Sequence, residues 1–221
     1  MSRYLSAFGP VEGLEGLFSA QKDALRCTAI RLVWGDLCLY SPVLGLGDAA
    51  LESLQALGEV TYLLAPNHYH HKGLDEYREA FPTAKVCCTA AAKTRLEKQT
   101  GLSFEAVHEA APAFPGNTCL VEPRGLKTGE IWIRAHRGEQ LVWIVTDAFC
   151  GTKGSLGAVV DRPQLLSTFP SFGIADREAY RDWLSEEIAN RPPTMIVPCH
   201  GSVVAGQTIA SDVLKLLQDL G

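Results

Sequence analysis

The order of the predicted elements favours an α/β protein in which two β-sheets lie between helices, a four-layer αββα sandwich. Strand-like and helix-like stretches alternate in both halves of the chain, and each half opens with a predicted hairpin. The chain has 221 residues, 47% of them hydrophobic, which is enough for a packed core, and no linker-like stretch divides it. We therefore expect a single domain over residues 1–221.

The first half is predicted to be a hairpin followed by strands that alternate with helices. The hairpin covers residues 24–40 and turns at Gly35-Asp36. The first helix begins at Asp48, predicted as its N-cap, and stops at Gly58. The further elements are a strand over 60–65, a helix over 74–81 ended by Pro82, a strand over 84–90 and a helix over 91–99.

The second half begins after a weakly patterned, proline-containing stretch over residues 101–125. A second hairpin is predicted from strands over 130–135 and 140–146. An irregular segment over 151–173, opening with the Gly-rich stretch 151–157, is long enough to suggest a lid or binding loop. The chain is then predicted to finish with a helix over 176–190, a strand over 194–197, a turn over 198–201 and a helix over 207–220.

Composition narrows the functional classes. The formal net charge of -5 and the lack of a Lys/Arg cluster argue against nucleic acid or a membrane surface as a partner. No apolar window of about 18 residues and no signal-like N-terminus occurs, so we expect a soluble, cytoplasmic protein. Seven cysteines without a CxxC spacing are typical of reduced thiols that act as small hydrophobes.

Candidate functional residues follow three predicted strands. His68, His70 and His71 come directly after the strand over 60–65, Asp147 follows the strand over 140–146, and His200 follows the last strand. Ligands collect beyond the carboxyl ends of strands, and imidazole and carboxylate are metal ligands. Each residue also has a structural interpretation, since the histidines could face water at a helix start, Asp147 could cap its loop, and His200 could bond to backbone in its turn. His108 and His136 are interpreted as surface residues.

The later two motifs resemble those of the metallo-β-lactamase fold. Val145-Thr146-Asp147 matches the Thr-Gly-Asp strand end of that superfamily, and Val197-Pro198-Cys199-His200-Gly201 matches its final Gly-His turn. The resemblance covers roughly residues 27–215. Within the superfamily, the chain resembles a divergent branch of uncharacterised function that carries a Ser-Pro after the first hairpin and a Pro-Asn-x-x-His-His stretch, as in Ser41-Pro42 and Pro66 to His71.

The first metal-binding motif, His-x-His-x-Asp-His in the superfamily, is degenerate in this chain. If Gly73-Leu74 takes its usual place, His70 stands for the last histidine, and Ala65, Asn67 and Tyr69 replace the other three motif residues. The third-histidine turn falls near Gly125-Leu126, where no histidine stands. A rival register places His68 and His70 as the first two histidines. We prefer the register with His70 as the last histidine, because it keeps three compatible ligands.

The resemblance implies a metal-dependent hydrolase with a reduced, mononuclear site made of His70, Asp147 and His200. Two imidazoles and one carboxylate suit zinc or iron, with manganese as a further candidate, and leave room for a small-molecule substrate. Asp147 would also serve as the catalytic base, because Tyr69 stands where the family has an aspartate. His68 or His71 could add a ligand. Cys150 and Cys199 lie close enough in sequence to Asp147 and His200 to be thiolate ligands or redox-sensitive neighbours.

Two alternatives stay open. Loss of most ligands is also typical of a metal-free pseudo-enzyme or small-ligand-binding protein on the same fold. The stretch Gly45-Leu46-Gly47-Asp48-Ala49-Ala50 fits a loose dinucleotide-binding pattern, but the next strand ends in Pro66-Asn67 where an acidic residue is expected. No GxxxxGK[ST] or GxSxG stretch occurs. Substrate and oligomeric state are left open by the sequence.

Overall fold

Each of two units, Met1–Gly116 and Asn117–Gly221, has its own β-sheet in the computed structural model of the chain. The structure describes residues 2–152, 158–218 and 220. The expectation that residues 1–221 form one domain stays a prediction. Among the described residues, no helix is both long and apolar enough to cross a lipid bilayer.

The sheet of the first unit has seven strands that lie side by side in chain order. They are β1 (Gly9–Pro10), β2 (Leu17–Lys22), β3 (Leu25–Arg31), β4 (Leu37–Tyr40), β5 (Val60–Leu64), β6 (Lys85–Cys88) and β7 (Glu105–Ala106). The first four pair antiparallel, whereas β5, β6 and β7 extend the sheet in parallel from β4. The carboxyl ends of β4, β5 and β6 therefore lie at one edge, from which Ser41, Ala65 and Thr89 lead into the following segments.

The helices of the first unit bury residues four apart or three apart, as an amphipathic pattern requires. They are α1 (Asp48–Leu57), α2 (Leu74–Ala80), α3 (Ala90–Thr100) and a 3-10 helix (Val107–Ala113). Ala50 and Leu54 of α1 are fully buried, as are Ala92 and Leu96 of α3, in a core shared with the sheet. The thiol of Cys27 lies in this core, and burial raises its pKa to about 12.

The second unit contains a six-stranded mixed sheet and a small two-stranded sheet. The strands, in chain order, are β8 (Thr118–Val121), β9 (Trp132–Arg137), β10 (Gln140–Val145), β11 (Phe149–Cys150), β12 (Val159–Val160), β13 (Gln164–Leu165), β14 (Met195–Pro198) and β15 (Val203–Ala205). The large sheet has the order β12-β15-β14-β10-β9-β8, and β11 pairs with β13. Its two central strands, β10 and β14, are parallel neighbours, so their carboxyl ends lie side by side.

The described part of the second unit contains the helices α4 (Phe169–Phe172), α5 (Arg177–Asn190) and α6 (Ile209–Gln218). The side chain of Asp176 caps α5 by accepting the N–H of Ala179 at 3.0 Å. α6 buries Ile209, Val213 and Leu217 at intervals of four residues. Aromatic rings dominate this core, with the ring centroids of Trp132 and Trp183 lying 5.3 Å apart.

Most predicted elements are present, and the differences have local causes. Gly47, not Asp48, is the N-cap of α1, and no side chain caps that helix. β2 was not predicted, because its sequence LFSAQK buries only Leu17 and Ala20 and has no clear alternation. The segment predicted as irregular over 151–173 contains β12, β13 and α4, while its residues 153–157 lie outside the described part. His108 and His136 are exposed, as predicted.

Candidate metal site

The histidine-rich segment of the first unit is a loop between β5 and α2 that is shaped by Asn67. This side chain is fully buried, and its Oδ1 accepts the N–H groups of Tyr69 at 2.8 Å and His70 at 3.2 Å. Asn readily makes this local side-chain-to-backbone turn. Asn67 therefore fixes the path of the backbone that carries the three histidines.

His70 is oriented by Ser41, which directly follows β4. The hydroxyl oxygen of Ser41 lies 2.8 Å from Nδ1 of His70, and the residue is 1% exposed. Ser41 has φ of +58°, a left-handed conformation that is rare for serine, and its N–H donates to the carbonyl of Leu64 at 3.1 Å. Because Nδ1 is engaged by Ser41, Nε2 is the nitrogen through which His70 would bind a metal ion.

The other two histidines of the loop are engaged within the first unit. Nδ1 of His71 donates to the carbonyl of His68 at 3.2 Å. Nε2 of His68 lies 3.0 Å from Nη1 of Arg95. A guanidinium can only donate, so His68 accepts this bond and is neutral, with its proton on Nδ1. Their predicted role as additional ligands stays a prediction, and for His68 the contact with Arg95 uses Nε2.

Asp147 and His200 are brought together in the second unit by strand register. Val145 of β10 pairs in parallel with Pro198 of β14, and Asp147 and His200 each stand two residues beyond that pair. The N–H of Cys199 donates to the carbonyl of Val145 at 2.9 Å and extends the ladder past the strand ends. As a result Nε2 of His200 lies 3.0 Å from Oδ1 of Asp147, with both side chains mostly buried.

The turn that carries Asp147 is held by the buried carboxylate of Glu130, which was not among the predicted site residues. Glu130 is 2% exposed, and its Oε1 accepts the indole N–H of Trp132 at 2.8 Å and the backbone N–H groups of Thr146 and Asp147, each at 3.3 Å. The charge of Glu130 adds to burial in raising the pKa of Tyr180. The sequence feature that could have identified Glu130 is an acidic residue directly before the apolar run Ile131-Trp132-Ile133.

The turn that carries His200 passes very close to the segment that follows β11. Gly151 donates its N–H to the carbonyl of His200 at 3.2 Å, and Gly201 has φ of +79°. A side chain at either glycine would collide with backbone of the other segment, at Ser202 or at Gly151. This backbone contact fixes the turn after β14 and explains why both positions are glycine.

The structure also bears on the turn near Gly125 and on the dinucleotide-like stretch near α1. The carbonyl of Gly125, where a third histidine was sought, accepts the N–H groups of Ala175 and Asp176 and so anchors the start of α5. The loose dinucleotide pattern near α1 is filled from within the chain, because Oε2 of Glu76 accepts the N–H groups of Gly45 at 2.6 Å and Leu46 at 2.9 Å. A pyrophosphate would need those same amides.

The donor types of the predicted site residues suit a divalent metal ion. His70, Asp147 and His200 each offer one ligand atom, two imidazole nitrogens and one carboxylate oxygen. Two ligands at about 2.0–2.1 Å from one tetrahedral zinc ion lie about 3.3 Å from each other. The 3.0 Å separation of the His200 and Asp147 ligand atoms is close to this value. Cys150 and Cys199, the predicted thiolate candidates, are both buried.

Comparison with known proteins identifies the fold. No family model and no curated protein sequence matches the chain. Among solved structures, the mono-zinc form of the metallo-β-lactamase FIM-1 from Pseudomonas aeruginosa is similar with a TM-score of 0.64 and 13% identity, over 98% of this chain and 96% of that chain. DIM-1 metallo-β-lactamase exposed to ceftazidime gives a TM-score of 0.63 and 9% identity, over 99% and 98% of the two chains.

A third similar structure is a metallo-β-lactamase from Hirschia baltica, with a TM-score of 0.58 and 11% identity, over 97% of this chain and 98% of that chain. All three comparisons extend over nearly the full length of both chains, although only 9% to 13% of the aligned residues are identical. They confirm the α/β fold class that the order of elements and the two strand-end motifs predicted. The chain has the metallo-β-lactamase fold.

Proposed function

We propose that the protein is a metal-dependent hydrolase with a single-metal site made of His70, Asp147 and His200. The fold supports the general class, since the similar structures are metallo-β-lactamases. The donor types of these three residues support the ligand set. The substrate would be a small molecule with an ester, lactone or phosphodiester bond.

The observation that carries this proposal is the pair of ligand atoms at the ends of β10 and β14. The register of two central strands brings Asp147 and His200 side by side, and their side chains meet at 3.0 Å. Glu130 supports the turn that carries Asp147, and the close contact of Gly151 with Gly201 supports the turn that carries His200. Supported rigidity of this kind is typical of a metal site.

His70 is proposed as the third ligand because its surroundings resemble those of a metal-binding histidine. Such histidines engage their second ring nitrogen with a hydrogen-bond partner, which fixes the tautomer and the ring orientation. Ser41 supplies this contact to Nδ1. His70 also follows β5, a strand whose carboxyl end lies at the edge of the first sheet where candidate ligands were expected.

Each of the three residues has a proposed role in the reaction. His70 and His200 would hold the metal ion, while Asp147 would be both a ligand and the acceptor for the proton of the attacking water. When bound, the metal ion would supply Lewis-acid chemistry, polarising a carbonyl or phosphoryl oxygen and activating water. Tyr69, where the family has an aspartate, offers no carboxylate, so Asp147 is the proposed catalytic base.

One observation favours a second function, that of a metal-free pseudo-enzyme or small-ligand-binding protein. Asp147 and His200 already satisfy each other by a direct hydrogen bond, and such a pair needs no metal ion. In this alternative the residues hold a pocket in shape and catalyse nothing. Metal content separates the two proposals.

The test is the metal content of untagged protein purified without chelator, measured by elemental mass spectrometry. We expect about one equivalent of zinc, iron or manganese per chain, as a mononuclear site requires. A variant with His70, Asp147 and His200 all changed to alanine should lose it. The control variant with exposed His108 and His136 changed to alanine should retain it. No metal in the parent, even after incubation with each ion, would favour the metal-free alternative.

A further inference from the structure

Arg95, on the exposed side of α3, is held rigidly against the histidine loop. Its Nη1 lies 3.0 Å from Nε2 of His68, and its guanidinium carbon lies 4.9 Å from the ring centre of Tyr69. The rings of His68 and Tyr69 meet edge to face at 4.3 Å. The long side chain is therefore ordered by two contacts in the protein alone, before any ligand binds.

The charge of Arg95 is not neutralised by these contacts. Both partners are uncharged, since His68 accepts the bond as a neutral imidazole and Tyr69 offers the face of its ring. Among the residues that the structure describes, no carboxylate forms an ion pair with Arg95. The neighbouring positions on the same helical face are Ala91, Ala92, Lys98 and Gln99, so α3 supplies no acid either.

Other arginines of the chain contrast with this arrangement. Arg134 pairs with the carboxylate of Glu187. Arg31 donates to the carbonyls of Gly35 and Leu57, each at 2.9 Å, and Arg78 likewise donates to carbonyl oxygens. These arginines have structural oxygen acceptors. Arg95 instead presents an ordered, positively charged fork in a protein whose net charge is -5.

We propose that Arg95 binds the anionic group, a carboxylate or a phosphate, of the small molecule on which the protein acts. The planar guanidinium matches such groups with paired N–H donors, and an ordered side chain loses little further entropy on binding. Tyr69, 37% exposed, lies beside it and adds an aromatic surface for the body of the ligand. The assignment of this anion as a substrate rests on the proposed function, because Arg95 contacts the loop that carries His70.

The experiment measures anion binding by NMR on ¹⁵N-labelled full-length protein at constant ionic strength. The probes are inorganic phosphate, malonate and the neutral malonamide. We expect a saturable shift of the Arg95 Nε–H signal with phosphate or malonate and none with malonamide. The anion that binds more tightly identifies whether the substrate group is a phosphate or a carboxylate.

Three variants make the result specific to Arg95. Arg95→Gln should weaken binding of the preferred anion by about tenfold or more, because a charged bidentate contact is lost. Arg95→Lys keeps the charge but not the fork and should weaken it by about threefold. The matched control Lys98→Gln removes a charge one turn further along the same helix and should change binding by less than about twofold.

The inference is overturned if neither anion gives a saturable shift, if malonamide binds as well as malonate, or if Arg95→Gln binds as the parent does. Each measurement is repeated after treatment with chelator and in the triple alanine variant of His70, Asp147 and His200. Anion binding that persists there, with no metal found in the parent, would sink the hydrolase proposal and leave the Arg95 site intact. Bound metal in the parent without anion binding would overturn the Arg95 inference and leave the hydrolase proposal intact.

Discussion

The two units place their candidate ligands by different means. In the second unit Asp147 and His200 stand just beyond the ends of adjacent parallel strands, and backbone pairing makes them neighbours. In the first unit His70 stands on a loop, and the side chains of Asn67 and Ser41 set its position. Ligands set by strand register tolerate change in neighbouring side chains, whereas a loop ligand depends on a few of them.

The largest expected effect comes from removing Glu130, the buried side chain that supports the turn carrying Asp147 in the second unit. Glu130→Ala leaves the N–H groups of Trp132, Thr146 and Asp147 without their acceptor. We expect the free energy of unfolding in urea to fall by about 3 kcal/mol. Glu139→Ala, at the exposed turn between β9 and β10, should change it by less than about 0.5 kcal/mol. A loss below about 1 kcal/mol at Glu130 would mean that strand register alone holds the turn.

The next effect concerns the loop of the first unit. Asn67→Ala removes the acceptor of the Tyr69 and His70 N–H groups and should cost about 2 kcal/mol of unfolding free energy. Asn67→Asp keeps an acceptor oxygen in the same place and should recover most of that loss. Equal losses in both variants, measured by urea unfolding, would show that an acceptor oxygen at position 67 is not enough to stabilise the loop.

A buried thiol of the first unit makes the stability of the protein depend on alkaline pH. Burial raises the pKa of Cys27 in the first unit to about 12, while Cys119 of the second unit is exposed. The folded protein keeps the proton that the unfolded chain loses above its ordinary value of 9.0, so stability falls as pH rises from about 9 towards 12. One such thiol contributes up to about 1.4 kcal/mol per pH unit. Cys27→Ala should flatten this slope in urea unfolding at several pH values, and Cys119→Ser should leave it unchanged.

The smallest expected changes in stability come from two substitutions of Ser41, which distinguish the contribution of its hydroxyl from that of its backbone conformation. Ser41→Ala removes the contact with His70 and keeps the strained φ, so a loss of about 1 kcal/mol is expected. Ser41→Gly removes the same contact but relieves the strain, and should be more stable than Ser41→Ala by about 1 kcal/mol. Both should weaken metal binding about 10- to 100-fold in competition with a chelator. If Ser41→Gly binds metal as tightly as the parent, Ser41 does not orient a ligand.

This difference between the units also explains what the sequence could predict. Asp147 and His200 were predictable because each stands two residues beyond an apolar strand, and parallel strand ends meet at one edge. The residues that contact the candidate ligands could not be predicted. Ser41 is 29 residues from His70, Arg95 is 27 residues from His68, and Glu130 is 17 residues from Asp147. No local pattern relates such pairs, because only folded side-chain positions bring them together.

Metal affinity measured for each histidine separately tests the central claim most directly. Zinc binding to His68→Ala, His70→Ala, His71→Ala and His200→Ala, followed by competition with a chelator, should show losses above about 100-fold for His70 and His200 only. The other two variants should lose less than about tenfold. Full affinity in His70→Ala, or an equal loss in His68→Ala, would contradict the site made of His70, Asp147 and His200.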